Sequence, residues 1–150
     1  MVQIGVVGAS SCSEDICSLA EEVGRQIARR GAVLICGGLG GVMEAACRGA
    51  RAEGGMTIGI LPGSDRREAN SFVDIAVVTG MGQARNLIIV QSSDAVIAIA
   101  GGYGTLSEIA LALRSNVPVI GVSTWDIAAP IIRAKDGPEA VARAFDSLRA

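Results

Sequence analysis

Short apolar runs alternate along the chain with longer segments in which apolar residues recur at helical spacing. The runs predict buried strands over residues 3–7, 32–36, 57–61, 73–79, 94–99 and 117–122. Helices are predicted over residues 14–30, 42–54, 85–91, 105–113 and 138–149. Residues 125–135 have no clear pattern. Strands that alternate with helices throughout predict one Rossmann-like α/β domain over residues 1–150, with a doubly wound parallel sheet and helices on both faces.

Turns of small residues follow three of the predicted strands, at residues 8–13, 37–41 and 101–105. The carboxyl ends of parallel strands meet at one sheet edge, where ligands bind. Glycines allow close approach to the backbone, and helix N-termini attract anions. A phosphate-bearing small molecule is therefore the predicted ligand. The candidate ligand-binding residues of the turns are Gly8, Ala9, Ser10, Ser11, Gly37, Gly38, Gly40, Gly41, Gly101, Gly102, Tyr103, Gly104 and Thr105.

The last of these turns leads into a predicted capping box, with Thr105 as N-cap and Glu108 three residues later. Glu108 has two compatible interpretations, as a capping residue alone or as a carboxylate that also faces the ligand. Tyr103 has two as well: it stacks on or covers the ligand, or it fills space between helices.

Arg85 and Asn86 begin a helix after a glycine-containing segment and are further ligand-binding candidates. Arg85 is either a solvated surface residue or a clamp on a phosphate, for which the planar guanidinium is suited. Asn86 is either a helix cap or a hydrogen-bonding partner of the ligand. Glu44 is either an exposed helix charge or a second pocket carboxylate.

Composition excludes several kinds of chemistry. The chain has no histidine, which removes imidazole acid–base catalysis and histidine metal sites. Lys135 is the only lysine, so there is no Walker A lysine, and its polar loop does not suit a pyridoxal-phosphate decarboxylase. The net charge of −2, without a basic run, argues against a nucleic-acid partner. The glycine turns also lack the full dinucleotide fingerprint.

The four cysteines do not form a CxxC pair, so no metal site is expected. Cys36 and Cys47 lie in apolar segments and are predicted to be reduced core residues. Cys12 lies in a candidate ligand loop, but nothing near it in sequence would lower the pKa of its thiol. The chain enters a strand at once and has no apolar run long enough for a bilayer, so the default expectation is the cytoplasm without a membrane partner.

The apolar content also bears on assembly. Half of the 150 residues are apolar, yet only four are aromatic, so the core must consist of small aliphatic side chains. A chain of this length with so many apolar residues cannot bury all of them in its own core, so apolar faces remain uncovered. We therefore expect a homo-oligomer, a dimer or tetramer, with helix–helix interfaces.

Residues 101–108 resemble the signature PGGxGTxxE of the lonely-guy phosphoribohydrolases, long mislabelled lysine decarboxylases. Residues 81–86 and 37–43 are similar to that family's Arg-Lys segment and first glycine turn, so the resemblance covers nearly the whole chain. Three positions depart from the pattern: Ala100 replaces the proline, Asn86 replaces the lysine after Arg85, and Leu39 interrupts the glycine triplet. With these departures the chain looks more like the molybdenum-cofactor carrier proteins, which hold a pterin phosphate.

The resemblance implies two functions. The first is a binding or carrier protein for molybdenum cofactor or a nucleotide, with no cofactor required for catalysis. The alternative is a phosphoribohydrolase that cleaves the N-glycosidic bond of a nucleoside 5′-monophosphate, with Arg85 and Glu108 as the catalytic residues. The loss of a cation at Asn86 argues against efficient hydrolysis. A structural module without a ligand is a third interpretation, and it leaves the three glycine turns unexplained.

Overall fold

Seven parallel strands form one sheet in a computed structural model, which describes residues 1–149. The sheet order is β4-β3-β2-β1-β5-β6-β7. The strands are β1 Gln3–Gly8, β2 Val33–Cys36, β3 Thr57–Leu61, β4 Ile75–Val78, β5 Ala95–Ile99, β6 Val119–Val122 and β7 Ile132–Arg133. The predicted α/β architecture is confirmed.

Five α-helices connect the strands and cover both faces of the sheet. They are α1 Glu14–Arg29, α2 Val42–Ala52, α3 Arg85–Gln91, α4 Tyr103–Arg114 and α5 Gly137–Ser147. Helices α1, α2 and α5 pack together, whereas α3 and α4 pack against each other. Two clusters of buried aliphatic side chains accordingly fill the spaces on the two sides of the sheet.

Two glycines allow α1 and α2 to approach closely. A Cβ at Gly24 would lie 1.9 Å from the Ala46 carbonyl oxygen, and one at Gly49 would lie 1.9 Å from the Glu21 carbonyl oxygen. The start of α1 is set by Ser13, whose side chain accepts a hydrogen bond from Ile16 N at 3.3 Å.

The strand order reverses at β1, which pairs with β2 on one side and with β5 on the other. Gly8 lies opposite Ile99 in the register of β1 and β5. The turns that follow these two strands are therefore neighbours at the carboxyl edge of the sheet, at the topological switch point.

Two sequence predictions need correction. Helix α4 begins at Tyr103 with Gly102 as its N-cap, so Thr105 lies inside the first turn and the predicted capping box does not form. Residues 117–122 do not contain the last strand, because β7 follows them at Ile132–Arg133 in the segment without a clear pattern. Residues 62–71 are otherwise irregular and contain a short 3₁₀ turn at Arg66–Glu68.

None of the helices in residues 1–149 combines the length and apolar character that crossing a bilayer requires.

Candidate functional site

A cavity of about 290 Å³ lies at the carboxyl edge of the sheet, where β1 and β5 end. It is lined by the end of β1 and its loop, by two residues of the loop and helix after β2, by the segment that leads into α3, and by the first two turns of α4. These residues are Val7, Gly8, Ala9, Ser10, Leu39, Met43, Gln83, Arg85, Gly102, Gly104, Thr105 and Glu108.

The cavity brings together eight of the residues predicted to bind the ligand. These are Gly8, Ala9, Ser10, Arg85, Gly102, Gly104, Thr105 and Glu108. Eight others do not line it: Ser11, Gly37, Gly38, Gly40, Gly41, Asn86, Gly101 and Tyr103. Glu44 also lies outside the lining and is half-buried on α2, so it is not a second pocket carboxylate.

Sequence reasoning missed four lining residues, which are Val7, Leu39, Met43 and Gln83. Val7 and Met43 flank predicted glycine turns, so an apolar wall could have been inferred from their positions. Leu39 interrupts a glycine triplet in the sequence, which does not indicate that its side chain lines a cavity. Nothing in the local sequence distinguishes Gln83.

The second glycine turn lies next to two residues that line the cavity, Arg85 and Ala9. A Cβ at Gly37 would lie 2.7 Å from an Arg85 guanidinium nitrogen. Gly41 has φ +64°, and a Cβ there would lie 2.4 Å from the Ala9 carbonyl oxygen. Val42 N donates to that same oxygen at 3.0 Å. The second turn thus makes room for Arg85 and holds the loop that follows β1.

The third turn has an unusual backbone and presents main-chain donors. Ala100 has φ +46° and Gly101 has φ +98°. Gly102 provides no side-chain cap, so the first N–H groups of α4 keep the orphan character of an uncapped helix start. Because Gly102, Gly104 and Thr105 line the cavity, these N–H groups and the positive end of the helix dipole suit an anion.

Arg85 is a buried residue that lines the cavity. Only 5% of its surface is exposed, and its Nε atom is buried without a hydrogen-bond partner. Burial lowers the pKa of the guanidinium, while the negative charge of Glu108 opposes that shift. An arginine remains charged even so. The surface interpretation of Arg85 is therefore wrong, and an orphaned buried donor of this kind calls for a partner.

Asn86 orients Arg85 from outside the cavity. Its Oδ1 accepts a hydrogen bond from an Arg85 guanidinium nitrogen, and its Nδ2 donates to Ser107 Oγ at 3.4 Å. Ser107 Oγ in turn donates to the Gly104 carbonyl oxygen at 2.8 Å. The buried asparagine thereby connects the arginine to the first turn of α4. This contact, rather than a helix cap, is the role that the structure shows.

Glu108 lies in α4 with 7% of its surface exposed and its side chain at the cavity. Burial raises the pKa of its carboxyl to about 7, against the opposing effect of the Arg85 charge. A cavity carboxyl with such a pKa can be ionised or protonated near neutral pH, which suits either a hydrogen bond to a ligand or acid–base work.

The cysteines divide into two pairs. Cys12 and Cys17 form a disulfide, so Cys12 has no free thiol in this structure. Cys36 and Cys47 are buried and free, as predicted, and their sulfur atoms lie 3.5 Å apart. The contact with Cys36, together with burial, raises the pKa of the Cys47 thiol above its usual range.

Tyr103 does not fill space between helices, because 84% of its surface is exposed. Within residues 1–149, no group of three or more cysteine and carboxylate side chains is arranged to hold a metal ion.

The switch-point cavity and the doubly wound sheet define a Rossmann-like α/β protein whose site is built from glycine turns. A model of the SLOG cluster4 family matches residues 1–147, and the chain belongs to that family.

Similar proteins include members of both groups that the sequence resembles. The molybdenum cofactor binding protein of Rippkaea orientalis is 40% identical, with a TM-score of 0.91 over 99% of this chain and 98% of that one. The molybdenum cofactor carrier protein of Chlamydomonas reinhardtii is 36% identical, with a TM-score of 0.91 over all of both chains. A cytokinin riboside 5′-monophosphate phosphoribohydrolase of Mycobacterium tuberculosis is 37% identical over 127 residues, 78% of this chain and 67% of that protein.

Proposed function

We propose that this protein binds a phosphate-bearing small molecule, molybdenum cofactor or a nucleotide, and acts as its carrier. The observation that carries the proposal is the buried Arg85 guanidinium, which has an unpartnered Nε and lies at a cavity facing the start of α4. Burial without a partner costs free energy that an anionic ligand would recover. The two similar structures named for molybdenum cofactor support the carrier role.

In this proposal the phosphate binds between the N–H groups of Gly104 and Thr105 and the Arg85 guanidinium. The backbone donors are fixed by the helix, and the guanidinium is held by Asn86. Both kinds of donor are in place before the ligand arrives, which limits the entropic cost of binding. Glu108 then lies beside the phosphate-bearing part of the ligand and, when protonated, donates a hydrogen bond to it.

Isothermal calorimetry with AMP and with a pterin phosphate tests this proposal. Arg85→Gln should weaken binding roughly 10- to 100-fold, because a charge-assisted hydrogen bond is lost. Arg114→Gln is the matched control, since Arg114 is exposed at the other end of α4. Molybdenum and pterin that co-purify with the wild-type protein, and are lost with Arg85→Gln, would identify the cofactor as the cargo. A wild-type protein that binds neither probe would contradict the proposal.

The second candidate is a phosphoribohydrolase, favoured by one specific observation. A carboxyl whose pKa is about 7 and a buried arginine line the same cavity. In this reaction water adds to C1′ of the sugar, the bond from C1′ to the base nitrogen breaks, and the base leaves with the bonding electrons and gains a proton. Ionised Glu108 would stabilise the positive charge that develops on the sugar or accept the proton of the water.

Release of free adenine from AMP at high protein concentration distinguishes the two functions. Release that disappears in Glu108→Gln would establish the hydrolase. AMP that binds without adenine release would leave the carrier. Asn86 favours binding without adenine release, because an amide stands where the hydrolase pattern has a second cation. Removing one electrostatic contact costs roughly 100-fold or more in rate.

A further inference from the structure

An aromatic pair, the exposed Tyr103 and the half-buried Trp125, lies beside the glycine turn whose Gly102 and Gly104 line the cavity. Tyr103 and Trp125 are the only tyrosine and the only tryptophan of the chain. Their ring centroids are 5.9 Å apart, and the ring planes are tilted by 35°. Tyr103 follows Gly102 and precedes Gly104, which both line the cavity, yet 84% of its own surface is exposed. A large aromatic side chain this open to solvent requires an explanation.

Trp125 lies in the loop after β6 and is hydrogen-bonded to the glycine turn. Trp125 Nε1 donates to the Gly102 carbonyl oxygen at 3.0 Å. The preceding residue, Thr124, donates from its Oγ1 to the Ala100 carbonyl oxygen at 2.7 Å. These two hydrogen bonds connect consecutive residues of one loop to the backbone of the turn. The indole is therefore held in place beside Tyr103 without a ligand, as a preorganised surface.

The size of the cavity explains why a ligand would reach this rim. At about 290 Å³ it lies at the lower end of the range of small-molecule sites, roughly 300–1,000 Å³. Its donors suit a phosphate, and the phosphate lies at the start of α4 in the binding mode proposed above. In the binding mode proposed here, a ring system attached to that phosphate extends outward past Gly102 and Gly104. Tyr103 lies between these two glycines in the chain and its side chain is exposed.

We propose that Tyr103 and Trp125 form a stacking subsite for the planar nitrogen heterocycle of a phosphate ester. This inference rests on the proposed function and deepens it, because it assigns the ligand class: a compound in which an aromatic ring system is joined to a phosphate, as in a mononucleotide or a pterin phosphate. Stacking on an aromatic side chain tolerates different heterocycles, since each presents a π-face. The phosphate donors then supply the anchor, and the aromatic pair supplies the preference for a ring.

The single tryptophan allows a direct test. AMP and ribose 5-phosphate share the sugar and the phosphate and differ by the base. We expect AMP to quench Trp125 emission, and we expect ribose 5-phosphate to bind in calorimetry without changing that emission. Tyr103→Ala should weaken AMP about 5- to 100-fold while ribose 5-phosphate keeps its affinity. Tyr103→Phe should retain AMP affinity, because it keeps the ring. A pterin phosphate titrated in parallel shows which heterocycle is preferred.

The outcomes separate the two proposals. If AMP and ribose 5-phosphate bind equally well and Tyr103→Ala changes neither, the stacking subsite is wrong while the phosphate site stands. If Tyr103→Ala weakens both probes by the same factor, the aromatic pair supports the turn and does not stack on a base, which also overturns the inference. If neither AMP, ribose 5-phosphate nor the pterin phosphate binds the wild-type protein, both proposals fail. Because Tyr103 is exposed, its variants should unfold at the wild-type urea concentration, which excludes misfolding as a cause.

Discussion

Asn86 accepts a hydrogen bond from the guanidinium of Arg85, its neighbour at the start of α3. Both side chains are buried, so the contact is shielded from water. The departure from the hydrolase pattern at this position therefore has a structural role: it replaces a second cation with an acceptor that holds the first.

Replacing Asn86 with leucine should weaken binding of ribose 5-phosphate about tenfold, because the guanidinium loses its orienting acceptor. Asn86→Asp, which keeps an acceptor, should restore affinity to within about threefold. Gln91→Leu provides a control at an exposed position on the same helix. Calorimetry measures all three variants. Wild-type affinity in Asn86→Leu would show that Arg85 needs no such support.

Ala100 should not tolerate the proline of the lonely-guy signature. Its φ is +46°, whereas a proline ring requires about −65°. Ala100 N also donates to the Val122 carbonyl oxygen at 3.1 Å, and proline has no N–H. We expect Ala100→Pro to lower the free energy of unfolding by about 3 kcal/mol or more, and Ala100→Gly to change it little, because glycine accepts positive φ. Urea denaturation provides the measurement, and equal stability of the two variants would contradict this account of the turn.

Two glycines with similar φ angles should respond differently to alanine. Gly31 has φ +72° and Gly41 has φ +64°, so alanine at either position costs on the order of 1–3 kcal/mol of backbone strain. A Cβ at Gly31 meets nothing within 4 Å, whereas one at Gly41 would lie 2.4 Å from the Ala9 carbonyl oxygen. Gly41→Ala should therefore lose more stability and should also weaken ribose 5-phosphate binding, because the Ala9 loop must move. Gly31→Ala should bind normally.

Glu108 should make the protein less stable as the pH rises. Its pKa is about 7 in the folded chain, above its ordinary value of 4.5, so the folded state holds this proton more tightly than the unfolded state. The contribution is fully present below pH 4.5 and is lost as the pH rises toward 7, by at most about 3 kcal/mol.

Urea denaturation from pH 5 to pH 8 measures this effect. Glu108→Gln should flatten the decline over that interval, while Glu14→Gln, at an exposed position in α1, should leave it unchanged. If Glu108→Gln shows the same slope as the wild-type protein, the carboxyl is not the group that titrates.

The edge strand β4 leaves apolar side chains exposed. Ile75 and Val77 lie two residues apart on this edge strand and are 45% and 41% exposed. Exposed apolar side chains on an edge strand favour pairing with another chain. We expect a dimer or tetramer in light scattering, and the double variant Ile75→Lys with Val77→Lys should shift it toward the monomer. Ser18→Lys on the exposed surface of α1 is the control. A monomeric wild-type protein would contradict the expected homo-oligomer, and an oligomer that both lysines leave intact would agree with the helix–helix interfaces expected from the sequence.

The alternation of apolar runs with helical segments was enough to predict the fold, because buried parallel strands are continuous and apolar. It failed where the signal is short or local. Strand β7 has two residues and is held by pairing with β6, which no periodicity reveals. The capping box failed because the residue pattern from Thr105 to Glu108 is satisfied equally well inside a helix that starts two residues earlier.

The candidate site was predictable as far as the glycine turns indicate which backbones approach one another. Burial of Arg85 was not, because it depends on space above Gly37, which lies 48 residues earlier in the chain. The contact between Tyr103 and Trp125 also joins two loops that the sequence leaves unconnected. Such long-range contacts arise from packing of the whole sheet, and local patterns contain no information about them.

The pairing of β1 with β5 has a consequence for the nascent chain. These strands begin at Gln3 and Ala95, so at roughly 5–20 residues per second the ribosome needs several seconds to deliver the second after the first. Until then β1 is an open edge whose unpaired N–H and C=O groups can join another chain. The cavity arises only when β5 closes that edge. A chain released after β4 would keep an aggregation-prone strand and lack the third glycine turn. The second half of the protein thus shields β1 from pairing with other chains.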